Sequence, residues 1–293
     1  MTYELAIGDR TYSSWSLRGW LLFSAFEIPV KTRTARMYSD AFPALLAEFE
    51  PSRLVPAVKR DGAVIWDSIA IAEELNSDHP KAGMWPQDPS ARAMARSMVG
   101  EMHSGFMALR DACTMNLEYS YSNFVPSDAV LKDIQRIEKL WDLARSQFGS
   151  GGPWLFGKYS IADVFFAPVA TRFASYQLPR SDLANAYINA HLEHRPFRQW
   201  RAMGRAEKYR QPVYQLDLEK TNWPGPVPIA AVVSTDGDKS ENQTCPYSGD
   251  PVVDFLETDG RIFGFCNQFC RDKTLADPEA WPAFMALLDA KTS

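Results

Sequence analysis

Apolar residues change their spacing several times along the 293-residue chain, and each change predicts a different element. Residues 3–7 alternate weakly and predict a short strand. A polar turn over 8–14 follows. Apolar residues at helical spacing then run over 15–26 and stop at Ile28-Pro29. Two short runs, 54–58 and 63–66, flank Arg60-Asp61-Gly62 and predict a hairpin. Residues 68–75 predict a helix capped by Asp67 or Ser68. The order β-α, then β-β-α, is a thioredoxin-like α/β pattern.

The signals from 89 to about 209 are helical. Residues 91–113 and 129–148 carry apolar side chains at three- and four-residue spacing, and 149–153 form a Gly-rich loop. Ser160-Ile161-Ala162-Asp163 is close to a capping box and opens an apolar helix. Residues 195–205 predict an amphipathic helix. Residues 211–240, with Pro212, Pro224, Pro226 and Pro228, have linker composition. Beyond them, 251–255 and 261–265 predict a hairpin turning at Thr258-Asp259-Gly260, and 278–288 a helix. The expected organisation is an α/β domain over 1–82, an all-α domain over 89–210, a linker over 211–240 and a small α+β module over 241–293.

Composition narrows the possible functions. Hydrophobic residues make up 46% of the chain, enough for a sizeable core. No apolar run approaches the roughly 20 residues of a membrane span, so no membrane partner is expected. Residues 1–5 lack the basic-then-apolar order of a secretory signal. Four cysteines are too few for a disulfide scaffold, and a reducing cytoplasm is the expected compartment. The net charge of −5 resides in residues 241–293, which carry nine acidic and four basic side chains. An acidic tail is a poor match for phosphate backbones, so nucleic acid is not an expected partner.

Three features of the first half carry candidate chemistry. Ser13 and Ser14 open the first helix, where hydroxyls and the helix dipole either stabilise an anion such as a thiolate or simply cap the helix. Val55-Pro56 precedes a hairpin strand; the bond is either a cis X-Pro bond that frees the backbone of Val55 for a peptide ligand, or an ordinary strand-edge proline. Asp67-Ser68, at another helix start, either holds a ligand bearing ammonium and carboxylate groups or caps the helix.

Together these motifs resemble the glutathione transferase superfamily over residues 3–209. Ser13-Ser14-Trp15-Ser16-Leu17-Arg18 looks like the serine motif of the zeta class, Val55-Pro56 like the family's cis-proline, Asp67-Ser68 like its Glu/Gln-Ser pair, and Ser160 to Asp163 like its helical-domain capping box. The resemblance implies a glutathione transferase fold, glutathione as co-substrate, a small electrophile as partner and a homodimer. It implies that Ser13 or Ser14 contacts the sulfur, that Val55 pairs with the cysteinyl backbone and that Asp67 and Ser68 hold the γ-glutamyl end. Trp15, Phe106 and Met107 would either wall the second-substrate pocket or, as aromatic and Met residues at helical spacing more often do, belong to the core, and Arg18 would serve as a structural partner. Trp15 stands where the zeta pattern has cysteine, which places isomerase and thiol-oxidoreductase activities in question. The other expected function is a non-catalytic glutathione-binding scaffold carrying a metal sensor or chaperone.

The tail has its own chemistry. Cys245-Pro246-Tyr247-Ser248-Gly249, Phe265-Cys266-Asn267-Gln268-Phe269-Cys270 and Ala276-Asp277-Pro278 have the spacing of a metal site. Asp250, Asp254 or Asp277 would complete the coordination, or one position stays open. The pattern resembles the small TRASH and YHS modules, which implies a treble-clef-like metal-binding domain holding one ion. Three thiolates without a histidine suit zinc completed by a carboxylate or water, or alternatively Cu(I). The other reading is a metal-free or disulfide-prone fold held by Phe255, Phe263, Phe265, Trp281 and Phe284. Chelation is then expected to loosen 241–293 and leave 3–209 folded. Cys113 reads as a buried inert thiol, and His79, His103, His191 and His194 as surface or capping residues.

Overall fold

In the computed structural model, which describes residues 1–290, the chain divides into two units. The first comprises residues 1–192 with 211–224; the second comprises 193–210 and the residues from 225 onward.

The first unit begins with β1 (Tyr3–Ile7), whose apolar side chains are buried. It leads into α1 (Ser14–Ser24), β2 (Lys31–Thr34), α2 (Ala41–Ala47), β3 (Ala57–Arg60), β4 (Ala63–Ile65) and α3 (Ser68–Asp78). The sheet order is β2-β1-β3-β4, with β2 parallel to β1 and the other pairs antiparallel. Its hairpin turns through Asp61 and Gly62, both at positive φ. The strand β2 carries no apolar alternation because it is an edge strand of Lys, Thr and Arg; Lys31 and Arg33 reach Glu4 at 3.3 and 3.8 Å. Helix α1 crosses the sheet at Gly19, where a Cβ would lie 2.5 Å from Cβ of Pro56. Only glycine permits that approach.

The helical part contains α4 (Pro89–Ser104), α5 (Met107–Ala112), the short β5 (Ser120–Tyr121), α6 (Asp128–Phe148), α7 (Ile161–Ser175) and α8 (Asp182–Glu193). The single helix expected over 91–113 is therefore two. Phe106 adopts left-handed φ of 59°, and a Cβ at Gly105 would meet the Glu101 carbonyl oxygen at 2.7 Å. Every residue of α7 is buried, which places it at the centre of this domain. Residues 212–214 form a 3-10 turn and β6 (Lys220–Thr221) pairs with β5, so 211–224 are hydrogen-bonded into this unit. Gln211 donates to the Met37 carbonyl at 2.8 Å and Gln215 to the Tyr12 hydroxyl at 3.3 Å.

Asp163 secures the start of α7. It accepts from Ser160 N–H (2.9 Å), Ser160 Oγ (3.0 Å), Leu155 N–H (3.1 Å) and the Tyr187 hydroxyl (2.9 Å). Burial pushes its carboxyl up to about 6, with these donors opposing the shift. Asp163→Ala leaves buried donors without an acceptor and is expected to cost about 3–5 kcal/mol. Urea denaturation measures this; an unchanged midpoint would show that the capping box does not support α7.

The second unit consists of α9 (Arg195–Ala206), β7 (Val232–Ser234), β8 (Asp254–Thr258), β9 (Arg261–Phe265), α10 (Gln268–Ala276) and α11 (Pro282–Asp289). Its strands form an antiparallel sheet in the order β7-β8-β9. Leu256, Phe263, Phe265, Trp281, Phe284 and Ala202 of α9 make its core. The hairpin turns at Asp259-Gly260 as expected, but its first strand is 254–258 rather than 251–255. No apolar stripe announces α10, because its buried residues are Asp272 and Thr274. Among the described residues, no helix is long and apolar enough to cross a membrane.

Candidate active site and cysteine cluster

Ser13 caps α1 with extended φ and ψ. Its Oγ accepts from Ser16 N–H at 3.2 Å and donates to Ser16 Oγ at 2.8 Å, and Ser16 Oγ in turn accepts from Gly8 N–H at 2.9 Å. Ser13 is thus committed to closing its own helix. Ser14, the first helical residue, is also buried, and its Oγ lies 3.5 Å from Arg172 Nη2. Arg172, on α7, is held by the carbonyls of Cys113 (2.7 Å) and Pro168 (3.2 Å).

Three guanidinium groups converge beyond the serines. Arg18, one turn along α1, is fully buried, and none of its guanidinium nitrogens has a hydrogen-bond partner. It stacks 4.1 Å from the Trp15 ring centroid and 5.3 Å from that of Phe165; Arg110 lies 5.0 Å from Trp15. Burial lowers the affinity of Arg18 for its proton well below the usual value, and the charges of Arg110 and Arg172 add to this. Burial and Arg110 bring Arg172 down to about 10. Arg18, expected as a structural partner, is instead a buried cation with its donors unmet. Such a cluster favours an anion.

Asp67 caps α3 through Oδ1, which accepts from Ile69 N–H at 2.9 Å. Its Oδ2 lies 2.9 Å from His103 Nε2. His103, assigned from sequence to the surface or a cap, is therefore part of this site and packs edge-on to Trp15 at 5.3 Å. Burial is the main cause that lowers its pKa, with Arg18 and Arg110 acting in the same direction and Asp67 against them. Nothing in its helical spacing distinguished it, because its partner lies 36 residues earlier in the chain. His191 is also buried rather than exposed. Next to Asp67, Ser68 is fully buried and its Oγ has no partner. The Val55–Pro56 bond is cis, against Gly19 of α1. Phe106 is buried, whereas Met107 is half exposed and its sulfur lies 4.0 Å from Arg110 Nη1. Cys113 is buried, its thiol pushed up to about 12 by burial.

In the second unit, Cys245, Cys266 and Cys270 bring their sulfurs within 4.8 Å of one another. Cys245 opens a tight turn closed by Gly249 N–H on its carbonyl at 2.9 Å, with Gly249 at φ of 77°. Cys266 follows β9, and Cys270 lies in the first turn of α10, capped by Asn267. Burial raises the Cys245 thiol, but N–H groups of Cys266, Tyr247 and Ser248 outweigh it and bring the pKa down to about 7. Ser248 Oγ and Asn267 Nδ2 each donate to Cys266 Sγ at 3.3 Å. Two of the oxygen donors expected from sequence are engaged elsewhere. Asp254 pairs with Arg271 at 2.7 Å, and Asp277 accepts from Arg198 at 2.7 and 2.9 Å.

Comparison with known proteins accounts for the first unit and part of α9. Residues 12–78 match the glutathione S-transferase N-terminal domain, and 122–202 match the C-terminal domain. A probable maleylacetoacetate isomerase from Caenorhabditis elegans is 26% identical over 200 residues, covering 64% of this chain and 92% of that protein. Maleylacetoacetate isomerase from Mus musculus is 30% identical over 188 residues, covering 62% of this chain and 84% of the mouse protein. A glutathione transferase homologue from Burkholderia GL BGR1, solved with bound glutathione, has a TM-score of 0.54 at 21% identity, over 70% of this chain and 98% of its own. That likeness concerns the fold. The two matched domains and the identity to the mouse enzyme establish that the chain belongs to the glutathione S-transferase family.

Proposed function

We propose that the first unit is a glutathione-dependent transferase acting on a small electrophile, with Ser14 rather than Ser13 facing the glutathione sulfur. The observation that carries this reading is the cluster of buried Arg18 and Arg172 with half-buried Arg110 around Ser14 and Trp15 at the start of α1. A thiolate there gains from a hydroxyl donor, the helix dipole and nearby positive charge, so it forms at lower pH and attacks more readily. The backbone of Val55, beside cis Pro56, pairs with the cysteinyl backbone of glutathione. Asp67 uses one oxygen for Ile69 and one for His103, and keeps lone pairs for the γ-glutamyl ammonium. Ser68 supplies a free buried hydroxyl to the same end of the ligand. Trp15, Phe106 and Met107 wall the electrophile pocket. The relatives named maleylacetoacetate isomerase point to an unsaturated, carboxylate-bearing electrophile, for which the arginines carry the matching charge. Glutathione-dependent turnover of an activated aryl halide and of a maleyl acid tests this reading; turnover of neither would sink it.

Ser68→Ala is expected to weaken glutathione binding by about 1.5–3 kcal/mol, the value of one hydrogen bond to a charged group. Calorimetric titration reads it directly, and unchanged affinity would remove Ser68 from the site. The variant should fold normally, since the hydroxyl satisfies no protein partner.

The second unit, in this reading, holds one metal ion through Cys245, Cys266 and Cys270. Convergent sulfurs with N–H and O–H donors aimed at them suit a bound cation, and supporting hydrogen bonds of this kind orient metal ligands. Elemental analysis of the purified chain is the test, with Cys113→Ser as the control that leaves metal content unchanged.

A further inference from the structure

Resting on the reading that the cysteine cluster holds a metal, we infer that it is a three-coordinate, all-thiolate centre selective for a soft monovalent cation, Cu(I), over zinc. Three cysteine sulfurs converge, with Cys266 and Cys270 already 3.8 Å apart and all three within 4.8 Å. Sulfurs about 2.3 Å from a shared ion stand about 4.0 Å apart at the corners of a trigonal plane, so a small contraction closes the site.

The fourth donor that structural zinc requires is not supplied. Among the described residues, no imidazole or carboxylate joins the cluster. No histidine follows His194 in the sequence. Asp254 is held by Arg271, and both oxygens of Asp277 by Arg198. Asp272 is buried between Lys208 at 2.6 Å and Arg271 at 2.9 Å. Releasing any of these carboxylates would strand a partly buried arginine or break the contact with α9. Zinc bound here would lack a fourth protein ligand, whereas Cu(I) is soft and is satisfied by three thiolates.

The surroundings suit the extra negative charge of such a centre. Three thiolates on a monovalent ion carry a net charge of −2. Ser248 Oγ and Asn267 Nδ2 each donate to the Cys266 sulfur at 3.3 Å.

The test uses the full chain, stripped of metal and reduced, then titrated anaerobically with Cu(I) delivered from a chromogenic chelator, and separately with Zn(II). The expected results are one Cu(I) per chain, an X-ray absorption spectrum fitted by sulfur alone, and displacement of zinc by equimolar Cu(I). Asp254→Asn and Asp250→Asn should leave the sulfur-only shell intact. Asn267→Ala, which removes the hydrogen bond to Cys266 Sγ and the cap that positions Cys270 on α10, should weaken Cu(I) by about 10–100-fold. Zinc retained against Cu(I), or an oxygen or nitrogen ligand on bound copper, would overturn the inference while leaving a metal site in place. Retention of neither ion would overturn the metal reading itself.

Discussion

Ser14→Ala is expected to slow glutathione conjugation by about 10²–10³-fold and to raise the pKa of the bound thiol, the consequence of losing one donor aimed at a developing anion. Ser13→Ala is expected to act differently. The Ser13 hydroxyl closes its own helix through Ser16, so its loss should cost about 1 kcal/mol of stability and change the rate far less. The sequence leaves the two serines equivalent; their difference lies in what surrounds them. The N-cap position turns Ser13 back onto the helix, while Ser14 faces Arg172, whose guanidinium is fixed by two backbone carbonyls. Thiolate absorbance titrated in the glutathione complex, together with kcat/KM, separates the cases. If Ser13→Ala loses the rate and Ser14→Ala keeps it, the assignment is reversed. If neither variant moves the thiol pKa, the arginines activate the sulfur without a hydroxyl.

With a metal held at the cysteine cluster as proposed, its removal is expected to loosen α9 along with the tail. Binding of a structural ion by thiolates contributes on the order of 10 kcal/mol to folding of small metal domains, so losing the proposed ion is expected to perturb this unit strongly. Linker composition alone predicts that 3–209 would be spared. The contacts predict otherwise for 195–206. Cys270 lies on α10, and Asp272, two residues on, pairs with Lys208 just after α9. Arg198 binds Asp277, Gln199 donates to the Ala280 carbonyl at 2.9 Å, and Ala202 enters the tail's core. Amide hydrogen exchange on metal-free and metal-loaded chain checks this. Faster exchange across 195–206 together with 254–289 is the expected pattern. Full protection of α9 in metal-free chain would show that the helix stands without the cluster, and Cys113→Ser should match the unaltered chain.

Locally encoded features were legible in the residues. The strand at 3–7, the hairpin around Asp61-Gly62, the cap at Asp67, the capping box of Ser160 and Asp163, and the Cys266–Cys270 pair each depend on neighbours a few positions away. Turn geometry, capping and periodicity act over that range, so the pattern and the structure agree there. Features set by distant partners were not legible. The edge strand β2 lacks a buried face and therefore an alternating pattern. The break at Gly105-Phe106 lies inside apolar helical spacing, and α10 buries polar residues. His103 became a site residue only because α4 brings it to Asp67. Arg18 became an unpartnered cation only because Phe165 of α7 and Trp15 enclose it. The sequence by itself determined the local elements, the candidate serines and the three tail cysteines. Tertiary structure alone decided which serine faces the arginines, which carboxylates are already engaged and which helix the tail supports, because charge pairing and burial depend on residues that only folding brings together.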